Sequence, residues 1–185
     1  ISPIEVTLES GGGHLEDGYK LGKVFRDRDV TTIIPDNKMC ASSCAVAFLG
    51  GERRMVADNG SILFHAPYLK QMQLEGKERI TCDLPKEELK TLNDYYSSMT
   101  SVEVGDRLYE RTMWYCSAEN GWTIRGAAAA ELYGIATSRW TDNYEKKTVA
   151  KKLLYICKTS RDGQIISFKM RGSCPKGYSA KQIKD

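Results

Sequence analysis

The sequence predicts an α/β domain built on a parallel sheet, and three neighbouring patterns carry that prediction. Ile4, Val6 and Leu8 alternate at period two and run into Glu9-Ser10-Gly11-Gly12-Gly13, so a strand ends in a glycine turn. From His14 the spacing becomes helical, with Leu15, Gly18, Leu21, Gly22 and Phe25 near one face and Lys20, Lys23 and Arg26 mostly off it. Val30-Thr31-Thr32-Ile33-Ile34 is β-branched throughout and stops at Pro35-Asp36-Asn37, the pattern of a buried strand. Strand, glycine turn, helix and strand make a βαβ unit, whose two strands lie parallel.

The next stretch organises the rest of the chain. Ser42 and Ser43 sit between Cys40 and Cys44 at the head of the apolar run 45–49, which Gly50-Gly51 ends. This reads as a serine turn, a strand end leading directly into a short buried helix. Residues 53–57 and 61–64 read as two further strands around the Asp58-Asn59-Gly60 turn, the second ending at His65. Residues 68–83 are polar, basic and weakly periodic, a surface excursion. Pro85 opens a helix to Met99, with Glu87 and Glu88 in its first turn and Leu89, Leu92, Tyr95, Tyr96 and Met99 as its buried stripe. A second helix spans about 104–115. A third follows Trp122-Thr123-Ile124, runs through the alanines 127–130 and stops at Gly134.

Composition shifts at residues 142–147, so the predicted organisation is a main domain over 1–145 and a cysteine-containing extension over 146–185. In the extension, residues 152–157 and 165–170 flank Ser160-Arg161-Asp162-Gly163, a hairpin signal. A two-stranded unit is marginal alone, which gives a disulfide there a purpose.

Bulk properties exclude several classes. At 185 residues the chain is long enough for a real core, and 41% hydrophobic with 28% charged residues is ordinary for a globular protein. A net charge of +3 without a Lys/Arg block argues against a nucleic-acid partner. No apolar run approaches the roughly 18 residues of a membrane span. The chain opens on Ile1-Ser2-Pro3 without a basic and apolar signal region, as a processed or trimmed start would. Six cysteines allow fifteen full pairings; proximity favours Cys40 with Cys44 and Cys157 with Cys174, leaving Cys82 for Cys116. No CxxC is present, and the two histidines, His14 and His65, stand in other contexts, so no metal site is expected. Three disulfides would place the chain in an oxidising compartment, periplasmic or secreted; two disulfides, or reduced buried thiols, are the alternatives.

The glycine turn lacks the Lys-Ser/Thr of a P-loop and the spaced acid of a dinucleotide fold, so a phosphate-binding reading of it is the weaker one. A serine hydroxyl is a weak nucleophile unless a base within hydrogen-bond reach takes its proton. Both serines could equally cap the apolar helix, a common role for serine. His65 could equally be a core histidine bonded to backbone, and His14 sits at the helix start as a cap neighbour.

At this point the chain resembles a known group. Ser10-Gly11-Gly12-Gly13-His14-Leu15-Glu16-Asp17-Gly18 is similar to the Ser-Pro-Gly-Gly-Ser-Val-x-x-Gly segment of the Clp protease proteolytic subunit, with Gly11 in place of proline. Ser42 stands nine residues before Gly51, the family's distance from nucleophile to glycine. Phe64-His65-Ala66-Pro67 resembles its Ile-His-Gln-Pro, and the segment 129–136 resembles its Glu-Ala-Val-Glu-Tyr-Gly-Leu-Asp ending. The resemblance is to the Clp/crotonase superfamily, and especially to periplasmic Clp-like proteins with a Cys-x-Ser-x-Cys serine turn. It covers residues 4 to about 137, and the C-terminal hairpin has no counterpart in the protease.

The resemblance implies stacked βαβ units, with Ser42 as nucleophile and His65 as general base. It implies an oxyanion hole from Gly12, Gly13 and the Ser43 N–H, since glycine lets backbone donors approach a developing charge closely. Counting back from Tyr133-Gly134, the family's aspartate position falls on Asn120, with Glu119 beside it. Asparagine can orient an imidazole but stabilises imidazolium less than a carboxylate does. The implied activity is a Clp-like serine peptidase with a Ser–His(–Asn/Glu) site, acting on a peptide or protein without metal or organic cofactor. Clp-family relatives form rings or trimers, so a homo-oligomer is implied. The rival is a catalytically degenerate binding or assembly module of the same fold. Acyl-CoA chemistry is disfavoured, because crotonases do not need this Ser–His pair.

Overall fold

The computed structural model describes residues 4–73, 76–138, 154–161, 164–171 and 179–183. The chain divides into two compact units, one formed by Ile1–Ile62 with Ile124–Asp185 and the other by Leu63–Thr123.

The predicted βαβ unit opens the first. Strand β1 (Glu5–Thr7) leads into helix α1 (Leu15–Asp27) and returns as β2 (Thr31–Ile34), parallel to β1 with Val6 opposite Thr32. All four residues of β2 are buried, as its β-branched run requires. Strand β3 (Met39–Ala41) follows, then helix α2 (Ser43–Phe48) and β4 (Arg53–Val56), which lies parallel to β2. Every residue of α2 is buried.

Two arginines close the C-terminal end of α2. Arg26 Nε donates to the Gly50 carbonyl at 3.1 Å, and buried Arg54 donates to the carbonyls of Gly51 at 3.0 Å and Ile135 at 2.7 Å. Carbonyls past a helix end have no intrahelical partner, so these guanidinium groups supply their donors.

Helix α1 meets α2 through small residues. A Cβ on Gly18 would lie 2.7 Å from the Ser43 carbonyl oxygen, and a Cβ on Gly50 would collide with the Gly22 backbone. Any larger residue at these positions holds the two helices apart.

Strand β5 (Ser61–Phe64) continues from the Asp58-Asn59-Gly60 turn, and β8 (Trp122–Arg125) precedes helix α5 (Ala127–Leu132). The order in the smaller sheet is β3-β5-β8. Residues Trp122–Arg125, which the sequence marks only as the lead-in to a helix, form a strand of their own.

The C-terminal strands, expected as a two-stranded unit, extend the main sheet. Strands β9 (Leu154–Arg161) and β10 (Gln164–Arg171) form the predicted antiparallel hairpin, with Ile165 opposite Ser160. A third strand, β11 (Ser179–Ile183), pairs with β9, and β10 pairs antiparallel with β1. The sheet order is therefore β11-β9-β10-β1-β2-β4. The hairpin covers the edge of β1 that would otherwise expose unpaired backbone groups. The predicted Cys157–Cys174 pairing lies outside the described residues.

In the second unit, β6 (Leu69–Met72) and β7 (Glu78–Thr81) form an antiparallel ribbon where the sequence indicated only a polar excursion. Helices α3 (Lys86–Met99) and α4 (Val102–Met113) cross closely at Gly105, where a Cβ would lie 2.5 Å from Ser97 Cα. Ser101 caps α4 by accepting from the Val104 N–H at 3.2 Å. Leu92, Tyr95, Tyr96 and Met99 form the buried stripe of α3, while Leu89 is half-buried.

Tyr96 packs edge-on against Phe64 at 6.1 Å, and burial pushes its phenol up from the ordinary value. The folded state therefore binds this proton more tightly than the unfolded chain. The stability so gained is complete below about pH 10 and is lost as pH rises toward the folded value. Tyr96→Phe is expected to flatten the alkaline decline, read as the change in urea midpoint between about pH 9 and pH 11.

Candidate functional site

The serine turn begins with a local clamp. Ser10, just past β1, pairs with Cys40 of β3 in an isolated parallel bridge. The Ser10 N–H donates to the Met39 carbonyl at 3.0 Å, and the Ala41 N–H donates to the Ser10 carbonyl at 2.9 Å. This bridge lays the glycine turn alongside the residues that lead into Ser42.

Ser42 occupies the junction between β3 and α2 with φ 57° and ψ −127°. A side chain rarely enters this region, because Cβ crowds the neighbouring peptide, and such a residue carries on the order of 1–3 kcal/mol of strain. Two other described non-glycine residues have positive φ, Asp29 and Asn37, and both are of the types that tolerate it. Strain at the turn between a strand and a helix is the geometry by which a nucleophile elbow raises its hydroxyl above the backbone. Ser42 is half-buried, while Ser43 is 2% exposed and packs under the Gly18 backbone.

Gly12 is shaped to this serine. Its φ is +102°, and a Cβ there would lie 2.6 Å from Ser42 Cβ, 2.7 Å from the Ala41 oxygen and 3.1 Å from Ser42 Oγ. Only glycine lets the loop approach the serine this closely. The Gly12 N–H donates to Ser10 Oγ at 3.1 Å, so it shapes the loop. Among the described residues, the N–H groups of Gly13 and of Ser43, the first residue of α2, have no backbone or side-chain acceptor. His14 stands at the N-cap of α1 without a side-chain cap bond.

Cys40 and Cys44 form the expected disulfide, with Cα atoms 5.3 Å apart, closing a short ring around Ser42. Both are buried, and neither offers a thiol for chemistry.

His65 belongs to the second unit, as do Glu119 and Asn120. It follows β5 directly and is half-buried. Its ring packs against Tyr68 at 5.6 Å, tilted by 32°. Its Nδ1 lies 2.8 Å from the Ala66 carbonyl oxygen. Glu119 and Asn120 are exposed, and their backbone N–H groups both donate to Ser117 Oγ, at 3.1 and 3.0 Å. Neither side chain hydrogen bonds to His65. The predicted Cys82–Cys116 disulfide is present, with Cα atoms 5.8 Å apart.

The structure thus gathers Gly12, Gly13, Ser42 and Ser43 at one turn of the first unit. Two contributors escaped the sequence reading. Ser10 secures the glycine loop through its hydroxyl, and a serine leading a glycine run is the available signal for such a turn. Ala66 engages His65 through main-chain atoms, for which its side chain gives no signal. Among the described residues, no group of three or more His, Cys, Asp or Glu is placed to hold a metal ion, and no helix is long and apolar enough to cross a membrane.

Element order and sheet topology define a mixed α/β fold, similar to that of ClpP-like proteases. Solved structures with this fold include a serine-to-alanine variant of the 1510-N membrane-bound stomatin-specific protease, with a TM-score of 0.57 and 19% identity over 80% of this chain and 70% of that one. A lysine-to-alanine variant of the same protease in complex with a substrate peptide matches with a TM-score of 0.57 and 17% identity, over 88% of this chain and 71% of that one. ClpP1 from Listeria monocytogenes matches with a TM-score of 0.53 and 18% identity, over 76% of this chain and 74% of that one. At these identities the likeness is one of fold. No protein-family model matches the chain, and comparison with the curated proteins yields no match.

Proposed function

We propose that this chain is a serine peptidase of Clp-like fold that acts as a homo-oligomer in an oxidising compartment, periplasmic or extracellular. The observation that carries the reading is the strained backbone of Ser42 at a strand-to-helix junction, with glycine backbone against its side chain. A serine that only capped a helix would take an extended conformation at no cost. The two disulfides support the compartment. Peptidases among the structures of like fold support the reaction class.

In this reading Ser42 Oγ attacks a peptide carbonyl carbon while its proton passes to His65 Nε2. The electron pair displaced onto the carbonyl oxygen is held by the Gly13 and Ser43 N–H groups, and Gly12 provides the close approach. As the C–N bond breaks, His65 returns the proton to the departing amine. Water then cleaves the acyl-serine ester with His65 again as base. Gly12→Ala is expected to displace the loop and lower the acylation rate about 10²- to 10³-fold, the scale of a lost oxyanion donor. Single-turnover kinetics would measure it, and an unchanged rate would remove the loop from the site.

A second reading, a non-catalytic binding or assembly module, is favoured by the placement of Glu119 and Asn120, exposed and without a bond to His65. Incubating the oxidised full chain with a diverse peptide pool separates the two. The peptidase predicts new peptide termini by mass spectrometry, and Ser42→Ala prevents them. Peptides retained intact on both proteins would support the module.

A further inference from the structure

We propose that Ala66 is the positioning residue of His65: its main-chain carbonyl fixes the imidazole tautomer that a carboxylate would otherwise fix, within a frame completed by Tyr115 and the Cys82–Cys116 disulfide. The assignment rests on the reading of His65 as general base.

A carbonyl oxygen can only accept, so a ring nitrogen 2.8 Å from it carries the hydrogen. Neutral imidazole has one N–H. With that hydrogen on Nδ1, the lone pair lies on Nε2, the form in which a histidine can take a proton from a serine.

Three restraints act on the residue that carries this carbonyl. The Ala66 N–H donates to the Tyr115 carbonyl at 2.9 Å, and Ala66 is fully buried. Pro67 follows, and a residue before proline is confined to extended backbone, which limits the swing of its own carbonyl. Tyr115 precedes Cys116, which the disulfide ties to Cys82 at the end of the β6–β7 ribbon. The side chain of Ala66 contributes no charge. The carbonyl therefore supplies the orienting half of an aspartate's role and only a dipole's share of the electrostatic half.

The tautomer can be read directly by long-range 1H–15N correlation on the resting protein, labelled at its two histidines and assigned with His14→Gln. The expected result is neutral His65 in the Nδ1–H form, retained in Glu119→Ala/Asn120→Ala and lost to a mixture in Cys82→Ser/Cys116→Ser. An Nε2–H form in the wild-type protein overturns the proposal without recourse to any variant. So does loss of the Nδ1–H form in Glu119→Ala/Asn120→Ala, while an unchanged tautomer in the cysteine variant removes the disulfide from the frame. No substrate is involved, so a correct tautomer in a protein that cleaves nothing counts against the peptidase and leaves the carbonyl's hold on the tautomer, but not the base role, standing.

Discussion

Ser42→Gly is expected to abolish turnover and at the same time raise stability. Glycine removes the hydroxyl, and loss of a nucleophile from a serine–histidine site costs on the order of 10⁶-fold in kcat. The same change relieves the backbone. At φ 57° and ψ −127° a Cβ is in conflict with its own peptide, whereas glycine adopts this region freely. The gain is expected to be about 1 kcal/mol, after subtracting the greater freedom of a glycine in the unfolded chain. Ser42→Ala keeps the Cβ and should lose activity with no such gain. Urea midpoints of the two variants, measured beside peptide turnover, check both halves. If both variants matched the wild type in stability, the strain assigned to this turn would be absent.

Gly50→Ala is expected to be the most damaging small substitution in the first unit. The added Cβ meets the backbone of Gly22, which cannot rotate aside as a side chain would. Opening the α1–α2 contact would also draw Gly50 away from Arg26, whose Nε bonds its carbonyl, and disturb the all-buried helix behind Ser42. Overpacking of this kind costs about 3 kcal/mol, which in a domain of this size lowers Tm by roughly 6–12 °C. Gly11→Ala is the control. A Cβ there meets nothing within 4 Å, so its effect should stay within about 0.5 kcal/mol. Equal melting temperatures for the two variants would contradict the close packing of α1 on α2.

Much of this architecture was legible in the residues because it is local. Period-two alternation, a glycine turn, a helical stripe and a β-branched run specify a βαβ unit without reference to the rest of the chain. The Cys40–Cys44 bridge follows from a spacing of four across a strand-to-helix turn. What was not legible depends on distant partners. The addition of β10 to the edge of β1 is a pairing across most of the sequence, and nothing within residues 164–171 names that partner. Six of the eight strand residues of the β6–β7 ribbon are exposed and none is buried, so it lacks the buried alternation that marks a strand.

The site divided in the same way. Serine, histidine and glycines can be found by type and spacing, since their chemistry resides in side chains or in the lack of one. The strain at Ser42 and the hold on His65 are properties of backbone, and backbone is the same at every residue. Residue type and register accordingly point to Glu119 and Asn120, while the carbonyl beside His65 belongs to an alanine.

Peptidase chemistry here requires that Ser42 be a nucleophile activated by His65. Its most direct test is to treat the oxidised protein with a peptidyl fluorophosphonate at neutral pH and locate the adduct by mass spectrometry. The expected result is one adduct, on Ser42, formed by the wild-type chain and absent from His65→Ala. No adduct on the folded wild-type protein, or an equal adduct on Ser42 in His65→Ala, would contradict it.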